Sequence, residues 1–569
     1  MNFNKYFSVC FCFLCGVSSV FSQTGFTKNN FRFPLEIPPV ISGTFGEFRP
    51  DHFHTGIDFS TQNKENLNVF CIGDGYVSRI KISSSGYGKA IYVTHANGFV
   101  SVYAHLNEYN VVVEDYVKRK QYEQKTFEIE LFPNPALFRI KKGDIIGYSG
   151  NTGVSSGPHL HFEIRNARTE LPINPLYFYE FSPVKTEPAI EKIAFYSNTS
   201  LGRYRTDVEV ENTKTGFKPK NDDTLTVSGN TWFGISAIDN INHVGNCGIY
   251  ALKVTVDSVP VFDLNFDSLS FDDGRYINAL IDYPEYVLHG KRIIQTYVAP
   301  GNRLFNNISA VNNGIWFFND TALHRVKFFV YNFQGNVSTV EQLVRSKTPS
   351  DQIAKQPKNT MPLFRYGLNE HFDTDNVIVD LPSDALYDSI YFDFKALEGN
   401  ARTYSRIYQI HNRLTPIHSY VSLKIKPDKE PDAKLQLKLT IAEITEKSFS
   451  YVKSDWANGY LSAKIKRFGN YCIMADTVAP EIVPQGFSAA KKVFPDEALK
   501  IKITDDFSGI DTYTLTINGV WVLAVFDAKS DMLTYKVDAS QFKSGNNDVE
   551  LSVTDKMKNL RVFKTVLNF

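Results

Sequence analysis

Gly150-Asn151-Thr152-Gly153-Val154-Ser155-Ser156-Gly157-Pro158-His159-Leu160-His161-Phe162-Glu163-Ile164-Arg165 divides into halves of different character. The first half is turn chemistry, with glycines, small polar residues and a proline. The second half alternates. His159, His161, Glu163 and Arg165 share one face of a strand, and Leu160, Phe162 and Ile164 share the other. The apolar face is expected to pack inward. The polar face presents two imidazoles roughly 7 Å apart along the strand, a spacing that suits a metal site.

Two other clusters complete such a site. One is Arg49-Pro50-Asp51-His52-Phe53-His54-Thr55-Gly56-Ile57-Asp58, and the other is Tyr103-Ala104-His105-Leu106. Of 12 histidines, those at 52, 54, 95, 105, 159 and 161 crowd into one stretch, so they are not scattered as core filler would be. A hydrolytic zinc site needs about three protein ligands and one open position. His54 and Asp58 stand four apart, with Gly56 between them freeing the backbone to bend. A histidine from the 159–161 strand makes the third ligand, and spacing alone does not choose between His159 and His161. The remaining strand histidine and His105 then fall near the scissile bond. One takes the proton from water and passes it to the leaving amine; the other stabilises charge on the tetrahedral intermediate. His52 reads as a surface or supporting residue, His95 as structural, and Glu163 as a groove or supporting residue. Asp505-Asp506 reads as a solvated turn, with calcium binding as the alternative.

These motifs, together with Gly86-Tyr87-Gly88-Lys89 and Gly147-Tyr148-Ser149-Gly150-Asn151-Thr152-Gly153, resemble the lysostaphin/LytM-type zinc metallopeptidases over residues 41–178. The resemblance implies an open antiparallel β-sheet with a groove. It implies metal ligands at His54, Asp58 and His161, catalytic histidines at His105 and His159, and Zn²⁺ as cofactor. It implies peptide substrates in peptidoglycan stems or cross-links. Some members hold the oxyanion with a tyrosine shortly before the first ligand; Phe48 and Arg49 occupy that region here, and Arg49 is the expected replacement. Residues 107–138, charged and aromatic, read as an insertion that walls the groove or docks a partner.

The rest of the 569 residues reads as β-structure, with 43% hydrophobic and 14% aromatic content. Lys+Arg of 61 balances Asp+Glu of 61, which argues against a nucleic-acid partner. Lys5, the apolar run Phe7 to Phe21 and the small-residue site before Gln23 read as a signal peptide, which implies secretion to a periplasm or the cell exterior. No later segment is apolar enough to span a bilayer. Cys71, Cys247 and Cys472 are too few and too far apart for a disulfide framework. The expected plan is a signal peptide at 1–22 and a peptidase domain at 23–183. β-sandwich-like units follow at 184–262 and 263–346, then a β-rich unit at 347–475 and an immunoglobulin-like unit at 476–569. The fold class is therefore mainly β. The expected function is a secreted zinc endopeptidase acting on peptidoglycan. The alternative is a wall-binding or regulatory protein working through its tail, which binds cell wall or a protein partner.

Overall fold

The computed structural model describes residues 31–180, 186–199, 202–221, 223–239, 247–347, 360–445 and 448–569. The signal peptide expected at 1–22 lies outside them. Among the described residues no helix is long and apolar enough to cross a membrane.

The chain is mainly β. Its first large sheet runs in the order β1 (Ile41–Gly43), β2 (Ile57–Ser60), β7 (His159–Asn166), β5 (Phe99–Leu106), β4 (Lys89–His95), β3 (Gly75–Ile82) and β6 (Ile129–Leu131). Every neighbouring pair on this path is antiparallel. The alternation in β7 holds: Leu160, Phe162 and Ile164 enter the main core with Phe59 and Tyr103. The opposite face carries a smaller cluster of Ala90, Tyr92, Val100, Val102 and Ala104. Asn97-Gly98 closes the β4–β5 hairpin, with Gly98 at φ +86.

Residues 107–138 form more than a loop. Glu108–Tyr109 joins a three-stranded sheet with Asn68–Phe70 and Ile145–Tyr148. Helix α1 (Val111–Gln124) follows, its first turn capped by Asn110 Oδ1, which accepts from Val113 N at 3.0 Å. Only Val113, Val117 and Gln121, spaced one turn apart, are buried on it.

Beyond the first sheet come paired sheets. Residues 189–346 build two six-stranded sheets. The expected division at 262/263 falls inside one strand, Val259–Asn265, and strands from both sides of it pair in the same two sheets. Residues 363–475 build two five-stranded sheets and a short pair, and residues 481–568 build two four-stranded sheets.

Contacts between these units frame the site. The Phe266 ring packs 5.6 Å from Phe53 and 6.2 Å from Phe48, bracing the loop that carries His54. The last unit returns to the first. Lys118 of α1 pairs with Asp538 at 3.4 Å, Tyr122 meets Trp521 edge-on at 5.2 Å, and Lys529 donates to the carbonyl of Asn151.

Candidate active site

In the β2–β7 ladder His161 lies directly opposite Asp58. His54 sits in the loop before β2, held by two backbone hydrogen bonds of 2.8 Å, Gly46 N to His54 O and His54 N to Glu47 O. His54 Nε2 and His161 Nδ1 are each 3.0 Å from Asp58 Oδ1 and 2.9 Å from one another. All three side chains are buried. Gly56 permits this closeness through space rather than bending. A Cβ there would stand 2.5 Å from Phe162 O and 2.9 Å from His161 Cε1.

Hydrogen-bond partners assign the tautomers. His54 Nδ1 donates to Thr44 O at 2.8 Å, and His161 Nε2 donates to Glu163 Oε1 at 2.8 Å. Both remaining ring nitrogens then aim lone pairs at one point beside a carboxylate oxygen. Such a cluster repels itself unless a positive charge lies among the three atoms. Tetrahedral zinc, with bonds of about 2.0–2.2 Å, separates its ligands by roughly 3.3 Å, so the residues fit that ion with small adjustment.

The surrounding charges agree. Burial opposes ionisation of Asp58, but His54 and His161 overcome it and hold the carboxyl well below the usual carboxylate range. Burial also opposes charge on His161, yet its hydrogen bonds to Asp58 and Glu163 raise it to about 9, so this point favours a cation. Glu163 is fully buried. It accepts from Thr55 Oγ1 at 2.9 Å, from Tyr87 OH, and from Arg165 Nε at 2.6 Å. Burial pushes its pKa up; Arg165 and His161 outweigh that and keep it ionised. The Tyr87 ring stacks on His161 at 5.1 Å.

His159 and His105 stand beside the trio. His159 Nε2 is 3.5 Å from Asp58 Oδ1, and the His105 ring centroid is 4.8 Å from that of His159. His159 Nδ1 is fixed by Gly157 O at 2.9 Å and His105 Nδ1 by Thr152 O at 2.7 Å, which leaves each Nε2 as an acceptor. Burial lowers the pKa of both, His105 to about 3 with help from His161 and His159, so both rings are neutral at physiological pH. His105 reaches this face through an irregularity. The β4–β5 register shifts between Lys89 and Ile91, and His105 has φ +58. Two successive residues, Ala104 and His105, thereby face the site.

Other expectations resolve plainly. His52 is exposed and bonds Asp51, while His95 is buried between Asp74 O and Ser101 Oγ. Arg49 departs from its expected oxyanion role. Its Nη2 is 2.7 Å from Asp58 Oδ2 and 3.6 Å from Glu47, so the guanidinium is committed to orienting the carboxylate. Motif chemistry does not mark Thr55, Tyr87 and Arg165 as site residues. Tyr87 and Arg165 still carry a signal, Tyr87 in the Gly86–Lys89 motif and Arg165 on the polar face of β7.

The model for Peptidase family M23 matches residues 52–122 and 138–175, and the gap falls within the insertion. The chain carries a Peptidase M23 domain of the LytM type. A Zu5-like domain model matches residues 361–476. An uncharacterized metalloprotease of Haemophilus influenzae is 31% identical over 168 residues, 27% of this chain and 29% of that one. The DD-carboxypeptidase/endopeptidase Mpg of Neisseria meningitidis is 32% identical over 143 residues, 25% of this chain and 26% of that one. The chain thus spans less than a third of the length of these curated relatives. Among solved structures, the catalytic domain of lysostaphin from Staphylococcus simulans is 24% identical, with a TM-score of 0.19 over 24% of this chain and 90% of that one.

Proposed function

We propose that this protein is a secreted zinc-dependent endopeptidase that hydrolyses peptide bonds in peptidoglycan stems or cross-links. The observation that carries the proposal is the convergence of His54 Nε2, Asp58 Oδ1 and His161 Nδ1, with two neutral histidines beside them. The relative named DD-carboxypeptidase/endopeptidase Mpg supports hydrolysis of peptide bonds.

In this reading His54, Asp58 and His161 hold the zinc. When bound, zinc polarises the scissile carbonyl and makes water a stronger acid. His159 and His105 present Nε2 acceptors whose orientation is fixed by carbonyl oxygens. One takes the proton of the attacking water and returns it to the leaving amine. The other stabilises charge developing on the substrate oxygen once its Nε2 has taken up a proton. Arg49 and Glu163 orient Asp58 and His161 from behind.

The test is mass analysis of peptidoglycan digested by the zinc-loaded chain. Cleaved muropeptides are expected, and their loss with chelator and in His159→Ala. An intact muropeptide profile with zinc-loaded protein overturns the proposal. The second reading, action through the tail, rests on the extent of the β-sheet units beyond residue 189. It predicts that the His105→Ala chain rescues a null strain, whereas the enzymatic reading predicts no rescue.

A further inference from the structure

A second cluster of ionisable groups lies where the Zu5-like unit meets the last unit. Asp476, Asp505 and Asp555 each place an oxygen within 4.8 Å of the other two. Asp476 ends the first of these units, Asp505 lies in the turn after Ala498–Thr504, and Asp555 ends the strand Asn546–Asp555. Asp476 and Asp555 are 2% and 0% exposed. Among the described residues no lysine, arginine or histidine forms an ion pair with any of the three.

Hydrogen bonds occupy only part of this oxygen-rich centre. Asp476 accepts from Val478 N at 3.3 Å and Ser508 N at 3.2 Å, and Asn559 Nδ2 approaches its Oδ1 at 3.4 Å. Asp555 accepts from Asn559 N at 2.8 Å and Nδ2 at 2.6 Å. Asp505 Oδ2 accepts from Phe507 N at 3.1 Å and Gly509 N at 2.7 Å. Two oxygens of the same turn, Asp505 Oδ1 and Ser508 Oγ, are sealed from solvent with no partner among the described residues. Ser508 is only 2% exposed, and its own N–H is held by the Asp476 carboxylate. A buried polar atom left unpaired costs about 1–3 kcal/mol. One belongs to the cluster's own Asp505 and the other to Ser508 in the same turn, and together they mark a place where positive charge is wanted. Burial, and then the neighbouring Asp476 and Asp505, raise the pKa of Asp555, the repulsion that a bound cation relieves.

We propose that Asp476, Asp505 and Asp555 bind a divalent cation, with Ser508 Oγ as an adjoining oxygen, and that the ion is calcium. The donors are all hard oxygens, with no imidazole or thiolate among them, which selects against zinc and copper. The site ties the end of one unit to two turns of the next. A bound ion stiffens the joint already bridged by Lys438 Nζ to Met557 O at 2.8 Å.

The test is calorimetric titration of the full chain with calcium chloride, with magnesium chloride as comparison and melting temperature as a second readout. Two variants are used, Asp505→Asn and, as control, Asp506→Asn, whose exposed carboxylate lies outside the cluster. Both keep His54, Asp58 and His161, so calcium taken there is common to all chains. Wild type and D506N are expected to bind calcium saturably with Kd of about 10⁻⁴–10⁻³ M and to melt higher with it. D505N is expected to bind at least about tenfold more weakly and to lose the calcium-dependent rise in Tm. Wild type that takes up no calcium at several times that concentration overturns the proposal, whatever the variants do. So does calcium binding by D505N equal to wild type, and equal magnesium binding overturns the choice of calcium. Should D505N not fold by circular dichroism, Asp555→Asn repeats the comparison.

Discussion

Replacing Glu163 with glutamine tests whether the zinc site depends on what stands behind its ligands. Glu163 is fully buried and fixes two neighbours: it accepts from His161 Nε2 at 2.8 Å and from Arg165 Nε at 2.6 Å. The Glu163→Gln change removes the charge that holds His161 in the tautomer presenting Nδ1 to the metal. Loss of such a supporting carboxylate weakens metal binding by about 10–100-fold. The same change leaves Arg165, whose side chain is 5% exposed, without its main counter-charge, which costs about 3–5 kcal/mol. The two effects separate in a double variant. Adding Arg165→Met removes the orphaned charge, so stability returns while zinc affinity stays low. Competition with a chromophoric chelator reads the affinity, and hydrogen exchange of the Leu160–Ile164 amides reads local stability in this multi-unit chain. E163Q that binds zinc within about twofold of wild type refutes the reasoning. So does a double variant that recovers affinity and protection together.

Gly56→Ala places a Cβ 2.5 Å from Phe162 O and is expected to destabilise the β2–β7 contact by about 1–3 kcal/mol, seen as faster amide exchange in β7. Arg49→Ala is expected to weaken zinc binding in the chelator competition while kcat at saturating zinc stays near wild type, because the guanidinium touches Asp58. Burial pushes Asp239 up to about 7, eased by Asn332. Its folded pKa exceeds the unfolded value near 4, so the unfolded chain releases its proton first. Stability from this group is complete below about pH 4 and falls by up to about 4 kcal/mol as pH rises to 7. Asp239→Asn is therefore expected to melt higher than wild type at pH 8 and alike at pH 4; parallel curves contradict this.

Period-two patterning was enough to lay out β7, because its core residues and its histidines sit on opposite faces. The His54–Asp58 spacing likewise survives into three dimensions, since a short loop and a strand start carry it. His105 did not follow from periodicity. Strict alternation places it with Tyr103 on the core face, and a register shift with φ +58 reverses that. Helix α1 was hidden because only Val113, Val117 and Gln121 are buried on an otherwise polar surface. The 262/263 division failed because adjacent sandwiches and one interleaved sandwich share the same strand and turn signals. Asp505 was visible as a turn residue, whereas its neighbours Asp476 and Asp555 come from distant segments that no local pattern connects.

The clasp between the last unit and the first joins residues 420 positions apart at Lys118–Asp538 and 378 apart at Lys529–Asn151. Closing contacts of such long range form late. A chain made from its amino end has residues 54–161 in hand, and with them the whole donor cluster, hundreds of residues before Trp521 and Asp538 exist. The first unit is therefore complete before its contacts with residues 521–538 can form.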